Sequence, residues 1–82
     1  MFEVIEERIS RVLNQWKNES GVNEIIRFKY DYHTGDLTIY TSRIGFMIGR
    51  AGITINKYKE ILKEELLQFG KIEFIEVSSY GA

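Results

Sequence analysis

The 82-residue chain is long enough for one small hydrophobic core but not for two. With 44% apolar and 28% charged residues it should fold, and without cysteine it has neither disulfides, thiolate metal sites nor cysteine nucleophiles. The formal net charge of −1 lacks the basic surplus that is typical of nucleic-acid-binding domains.

Composition also predicts where the chain works. The first residues are acidic and amphipathic, unlike the basic start and apolar run of a signal peptide, and no stretch is apolar for long enough to span a membrane. A chain without cysteine suits a reducing compartment. We therefore expect a cytoplasmic protein without membrane contacts.

The N-terminal half predicts a helix followed by a β-hairpin. Apolar residues recur at three- and four-residue steps from Phe2 to about residue 18, and Gly21 is a plausible end of this amphipathic helix. Apolar and polar residues then alternate over residues 26–32 and 37–42, with a short turn between them. These two runs should pair as antiparallel strands.

The C-terminal half predicts two helices and a strand. Residues 44–48 form one or two helical turns, and a longer helix after Gly52 has an apolar face that extends to Phe69 and ends at Gly70. Residues 71–79 predict a final strand. Its apolar residues change face between Phe74 and Ile75, which a bulge or burial on both faces would explain.

Gly49-Arg50-Ala51-Gly52, between the two C-terminal helices, is the most informative segment. Glycine lets a backbone approach a ligand closely, and helix N-termini attract phosphate. Residues 41–63 carry five basic side chains and one acidic one, a local charge of +4 in an otherwise acidic chain. The context therefore indicates a clamp for a phosphate backbone.

These residues resemble a KH domain. The resemblance rests on Ile39 in a strand, Gly45, the run Ile48-Gly49-Arg50-Ala51-Gly52, and Ile55 three residues after the second glycine. The extra helix and strand precede the minimal core, about residues 37–79, as in the type II, prokaryotic-type arrangement of a small-subunit ribosomal protein. One departure is Ile44, where many type II members have proline. The acidic balance is another.

The resemblance covers nearly the whole chain and implies one α+β domain over residues 1–82. Its order of elements is α-β-β-α-α-β, with a three-stranded mixed sheet and three helices on one face. The hairpin makes the first two strands antiparallel, and the two-helix crossover predicts that the last strand runs parallel to the second.

The resemblance also implies a binding mechanism. The GxxG loop, residues 49–52, would clamp about four nucleotides of a single strand, with Arg50 on a phosphate. An apolar groove would take the bases. Its candidate residues are Ile44, Met47, Ile48 and Ile55. Ile44 and Met47 could equally be ordinary core residues, and for Ile55 a place in the core is the better interpretation. Further contacts with the nucleic-acid backbone are expected at Arg43 and Lys57.

The expected function is non-catalytic binding of single-stranded RNA, without cofactor or metal. Single-stranded DNA is the near alternative, because nothing in the loop reports on the 2′-hydroxyl. A second alternative is a protein-interaction or assembly module that does not use the groove, beside a ribosome-associated or other partner. Enzyme motifs fail: the Walker pattern is absent, and a dinucleotide-binding pattern that starts at Gly45 has Ala51 where glycine is required.

Overall fold

The computed structural model describes residues 2–78 and confirms the predicted order of elements. The Phe2 side chain and Ser79 lie outside the part that it describes. A 3₁₀ turn at Arg50–Gly52 joins the second and third helices. In chain order the other elements are α1 (Phe2–Glu19), β1 (Arg27–Tyr30), β2 (Leu37–Thr41), α2 (Ile44–Ile48), α3 (Ile53–Glu65) and β3 (Ile72–Glu76).

The three strands form one mixed sheet in the order β1-β2-β3. β1 and β2 are antiparallel, with Phe28 opposite Ile39. β3 runs parallel to β2, and Ile39 is also aligned with Phe74. The predicted α+β architecture and both strand directions are therefore confirmed.

The core lies on one face of this sheet, under the long helices α1 and α3 and the short α2. Alternate residues of β2 point into it, and Trp16 of α1 lies fully buried at its centre. The Trp16 ring stacks on the Tyr58 ring of α3, with centroids 5.2 Å apart. Its Nε1 donates a hydrogen bond of 2.8 Å to the carbonyl oxygen of Met47 in α2. One α1 side chain thus fixes both helices that flank the GxxG loop.

Two predictions about the C-terminal half are wrong. α3 ends at Glu65 rather than beside Gly70, because Leu66 is extended (φ −113°, ψ 135°) and turns its buried side chain into the core. β3 has neither a bulge nor burial on both faces. Its register with β2 is continuous, and Ile75 is 45% exposed on the outer face, where no described helix packs.

The linker between α3 and β3 is bonded to the hairpin turn. The backbone N–H of Gly70 donates to the carbonyl oxygen of Gly35 at 2.9 Å, and that of Lys71 donates to Asp36 Oδ1 at 3.1 Å. The Gln68 side chain donates to the carbonyl oxygen of His33 at 2.7 Å. The C-terminal end of α3 is therefore a closed, internally bonded corner.

Candidate functional site

The GxxG loop is a tight turn with three residues at positive φ. Gly49 has φ 79° and ψ 173°, Ala51 has φ 55° and ψ 23°, and Gly52 has φ 75° and ψ 15°. Left-handed backbone costs an alanine about 1–2 kcal/mol, whereas glycine adopts it freely. The Gly52 N–H donates to the Gly49 carbonyl at 3.2 Å, and α3 begins at the next residue.

The two glycines of the loop have different neighbours. A Cβ atom at Gly49 would collide with Thr54, whose own Cβ would be only 2.8 Å away. A Cβ atom at Gly52 would meet nothing closer than 3.8 Å within the described chain. The protein's own packing therefore requires Gly49 to be glycine, while at Gly52 a side chain would make only ordinary contacts with Asn56 and Ile55.

The predicted basic residues do not share one environment. Arg50 is exposed at the loop, and no ion pair involves it among residues 2–78. Arg43, at the start of α2, is exposed and its guanidinium carbon lies 5.7 Å from the centre of the Phe46 ring. Lys57 has its Nζ 2.8 Å from Glu19 Oε1. Arg43 and Arg50 are thus exposed to a ligand, whereas Lys57 already forms an ion pair with Glu19.

The predicted apolar residues also differ in exposure. Met47 is fully buried, so its side chain offers no surface to a ligand and supports α2 from beneath. Ile44 and Ile48 are half-buried beside it. Ile55 is half-buried and packs against the core. Of the three predicted groove residues in α2, Ile44 and Ile48 therefore keep some exposed surface.

Sequence reasoning missed two exposed apolar residues near the loop. Phe46 is 56% exposed in α2, and Ile53 is 67% exposed in the first turn of α3. A signal for Phe46 was present, because helical spacing places it off the face shared by Ile44, Met47 and Ile48. Both side chains give this end of the molecule exposed apolar surface beside a basic loop.

Glu24 organises the start of α2 and was also missed. Its carboxylate accepts hydrogen bonds from the hydroxyl and the backbone N–H of Ser42, the latter at 2.8 Å, and from Thr41 Oγ1 at 2.5 Å. The bonds from Ser42 and then Thr41 hold the pKa of the Glu24 carboxyl below its ordinary value. The Arg43 N–H in turn donates to Thr41 Oγ1 at 3.0 Å. A residue of the α1–β1 linker thereby orients the basic end of α2.

Glu19 plays the corresponding part at α3. Its Oε1 accepts hydrogen bonds from Lys57 Nζ at 2.8 Å and from the Tyr58 hydroxyl at 2.6 Å, which lower the pKa of Glu19. Burial and this carboxylate raise the pKa of Tyr58 to about 12. Two carboxylates outside the loop therefore hold the elements that flank it.

Residues 2–78 contain neither a candidate metal centre nor a candidate membrane span. These residues bring together no three His, Cys, Asp or Glu side chains that could hold a metal ion. Their helices include none that is both long and apolar enough to cross a bilayer.

Comparison with known proteins gives one informative similarity. Over 61 residues the chain is 33% identical to small ribosomal subunit protein uS3 of Pseudothermotoga lettingae, an alignment that covers 74% of this chain. The chain spans only 29% of the length of that protein. No protein-family model and no solved structure matches the chain. The similarity to a small-subunit ribosomal protein supports a KH-type fold.

Proposed function

We propose that this chain is a single type II KH domain that binds single-stranded RNA and catalyses no reaction. The observation that carries the proposal is the uncrowded backbone at Gly52, next to the exposed Arg50 at the start of α3. A ligand backbone can approach closely there, because a glycine has no side chain and the nearest side-chain atoms lie 3.8 Å from where a Cβ atom would stand. The similarity to a ribosomal protein supports RNA as the ligand.

The chemistry of this place suits phosphate. The first turn of a helix has N–H groups without intrahelical acceptors and the positive end of the helix dipole. α3 begins at Ile53, and no side chain of the described residues caps its first turn. The N–H groups of that turn are therefore not bonded to a capping side chain and can donate to a phosphate. Arg50 adds a donor whose charge strengthens a bond to phosphate. The loop would thus hold the sugar-phosphate backbone without reading the bases.

Base contacts would come from the apolar surface beside the loop. We assign this part to Ile44 and Ile48, and we add the exposed Phe46 and Ile53. Arg43 would contact a further phosphate from the other end of α2. Lys57 contributes less, because its ammonium group already has a carboxylate partner.

Affinity should be low, in the micromolar range or weaker, and should favour single strands over duplex. Each stacked or packed base contributes only about 1–3 kcal/mol, and ordering a flexible strand offsets much of this gain. The flanks of the basic segment are acidic: residues 1–40 carry a charge of −2 and residues 64–82 a charge of −3. Tight binding would need a second module or a partner surface.

The test is a double substitution, Arg50→Asp with Ala51→Asp. Aspartate tolerates left-handed backbone better than most residues, so the turn should persist while two carboxylates repel phosphate. We expect at least tenfold weaker binding of a fluorescein-labelled, unstructured 12-nucleotide RNA in fluorescence anisotropy, with an unchanged circular dichroism spectrum.

The matched control is Lys63→Glu with Gln15→Glu, which changes net charge equally. Both side chains are exposed, and Lys63 lies about 16 Å along α3 from the loop at 1.5 Å per residue. Control binding should stay within about twofold of the parent. Undiminished binding by the folded loop variant would remove the loop from the mechanism. If a DNA strand of the same sequence bound equally well, the proposed ligand would be single-stranded nucleic acid in general rather than RNA.

A further inference from the structure

A second open surface lies along β1, which is an edge strand of the sheet. The Asp31 N–H donates to the Asp36 carbonyl at 2.9 Å, so these residues form a hydrogen-bonded pair at the end of the hairpin. Bonded and non-bonded pairs alternate along antiparallel strands. Counting back along β1 in steps of two, Lys29 and Arg27 direct their backbone groups toward β2.

The residues between them face the other way. Phe28 and Tyr30 occupy non-bonded positions of the ladder, so their N–H and C=O groups point to the open edge. Such an edge is a template for one more strand. Two residues of this kind offer two donors and two acceptors, which is enough for a short extended segment.

The edge borders a groove rather than flat surface. Between β1 and α1 run two adjoining cavities of about 410 and 560 Å³, and both include Ser10, Ile26 and Phe28 in their walls. Ile25, at one end, is 86% exposed. We call this surface the β1 groove. Its main residues are Ser10, Arg11 and Lys17 of α1 and Ile25, Ile26 and Phe28 on the strand side.

Charge in and around the groove is predominantly positive. Arg11 and Lys17 line it from α1, and Arg27 and Lys29 line it from β1, against Glu6 in the groove and Glu7 beside it. This excess stands out on a chain whose net charge is −1. The groove therefore suits a segment that carries carboxylates between apolar residues.

The same charges disfavour a second copy of this chain as the occupant. Antiparallel pairing of β1 with β1 of another molecule would bring the Arg27 and Lys29 side chains of both copies onto one face. Like charges on directly opposed strands are destabilising. A nucleic acid strand, for its part, cannot match the alternating N–H and C=O groups of the edge.

We propose that the β1 groove binds an extended acidic segment of another protein, which adds to the sheet beside β1. Its backbone pairs with Phe28 and Tyr30, its apolar side chains contact Ile25 and Ile26, and its carboxylates meet the basic rim. The groove shares no lining residue with the GxxG loop, so binding there is independent of the proposed RNA site.

The test begins with a peptide array probed with the full chain. Its members are nine residues long, with Asp or Glu alternating with Val, Ile, Leu or Phe, and a second array has Lys at the charged positions. We expect acidic members to bind and Lys members to bind at least tenfold more weakly. Arg11→Glu with Lys29→Glu should weaken the best acidic peptide at least tenfold, while Arg50→Asp with Ala51→Asp should leave it unchanged.

Amide hydrogen exchange by NMR then locates the peptide. With the best peptide bound, the Phe28 and Tyr30 amides should exchange at least tenfold more slowly, while Arg27 and Lys29, already bonded to β2, should change little. Three outcomes overturn the proposal: no acidic member binds, the protected amides lie elsewhere, or Phe28 and Tyr30 become protected by self-association or by the 12-nucleotide RNA instead.

Discussion

A glycine with positive φ lies at each end of α3, but the two glycines have different surroundings. At the C-terminal end, Gly35 of the hairpin turn has φ 79° and faces the linker that follows the helix. At the N-terminal end, Gly52 has φ 75° and precedes the first turn. A Cβ atom on Gly35 would lie 2.9 Å from the backbone carbonyl carbon of Gln68, whereas one on Gly52 would make only ordinary contacts, at 3.8 Å, with Asn56 and Ile55.

The difference shows that a positive φ alone does not identify a functional glycine. The closed corner fills the space beside its glycine with protein backbone, so Gly35 serves the fold. The loop leaves the backbone at Gly52 uncrowded, two residues from the exposed Arg50, so Gly52 can serve a ligand. What the missing side chain would touch separates the two roles.

The largest expected effect comes from replacing each glycine by alanine. Gly35→Ala adds left-handed strain to a collision with backbone that cannot move aside, and should lower the free energy of unfolding by about 2–4 kcal/mol. Gly52→Ala adds strain alone and should lower it by about 1 kcal/mol. Urea denaturation measures both.

RNA binding should respond in the reverse order. Under conditions where both variants are folded, Gly52→Ala should weaken the 12-nucleotide RNA several-fold and Gly35→Ala should leave it unchanged. Equal losses of affinity in the two variants would mean that the uncrowded backbone at Gly52 has no special part in binding.

The next effect concerns how the loop end is held in place. Glu24→Gln keeps the shape but replaces a charged acceptor by an amide, so we expect a loss of about 1–2 kcal/mol at pH 7. The lowered pKa of Glu24 also has a consequence in acid. Its contribution to stability is fully present above the ordinary carboxyl value of 4.5 and is lost as pH falls through the lower folded-state pKa.

Urea denaturation at pH 7 and at pH 3 tests this link. Stability should fall less between the two pH values in Glu24→Gln than in the parent, while Glu64→Gln, an exposed change on α3, should follow the parent. If Glu24→Gln lost as much stability in acid as the parent, the hydrogen bonds at the β2–α2 junction would not be responsible for the acid sensitivity of this end.

The smallest expected effect is a difference between Arg50 and Lys57 in the salt dependence of RNA binding. For a single strand, each phosphate neutralised contributes a slope of roughly 0.7 in the logarithm of affinity against the logarithm of salt concentration. We expect about two to four phosphate contacts in the complex. Arg50→Ala should remove one of them and lower the slope by nearly the roughly 0.7 that one phosphate contributes. Lys57→Ala should lower it by much less, because Glu19 already neutralises its ammonium group. A larger effect at Lys57 than at Arg50 would reverse this assignment.

Local patterns were enough to predict most of the fold. Alternation in residues 26–32 and 37–42 identified the hairpin, and helical spacing identified α1 and the residues of α2. The end of α3 could not be predicted in this way, because Leu66 and Phe69 continue the helical spacing while the chain is already extended. Docking of residues 68–71 on the hairpin turn, a contact between distant segments, fixes that backbone instead.

The sequence also could not predict which side chains near the GxxG loop are exposed. Periodicity grouped Met47 with Ile44 and Ile48, yet the packing of Trp16 and Tyr58 decides which of them is buried. The hydrogen bonds of Glu24 have no local signal, because Ser42 lies 18 residues away.

The sequence by itself determined the order of elements, the direction of each strand and the position of the GxxG loop, because these follow from spacing, turn residues and the length of the crossover. Only the tertiary structure decided how crowded each loop glycine is, that Lys57 has a carboxylate partner, and that β1 is an edge strand of the described sheet beside a groove. These properties depend on which distant side chains occupy the same space, and a linear pattern of apolar and polar residues does not encode that directly.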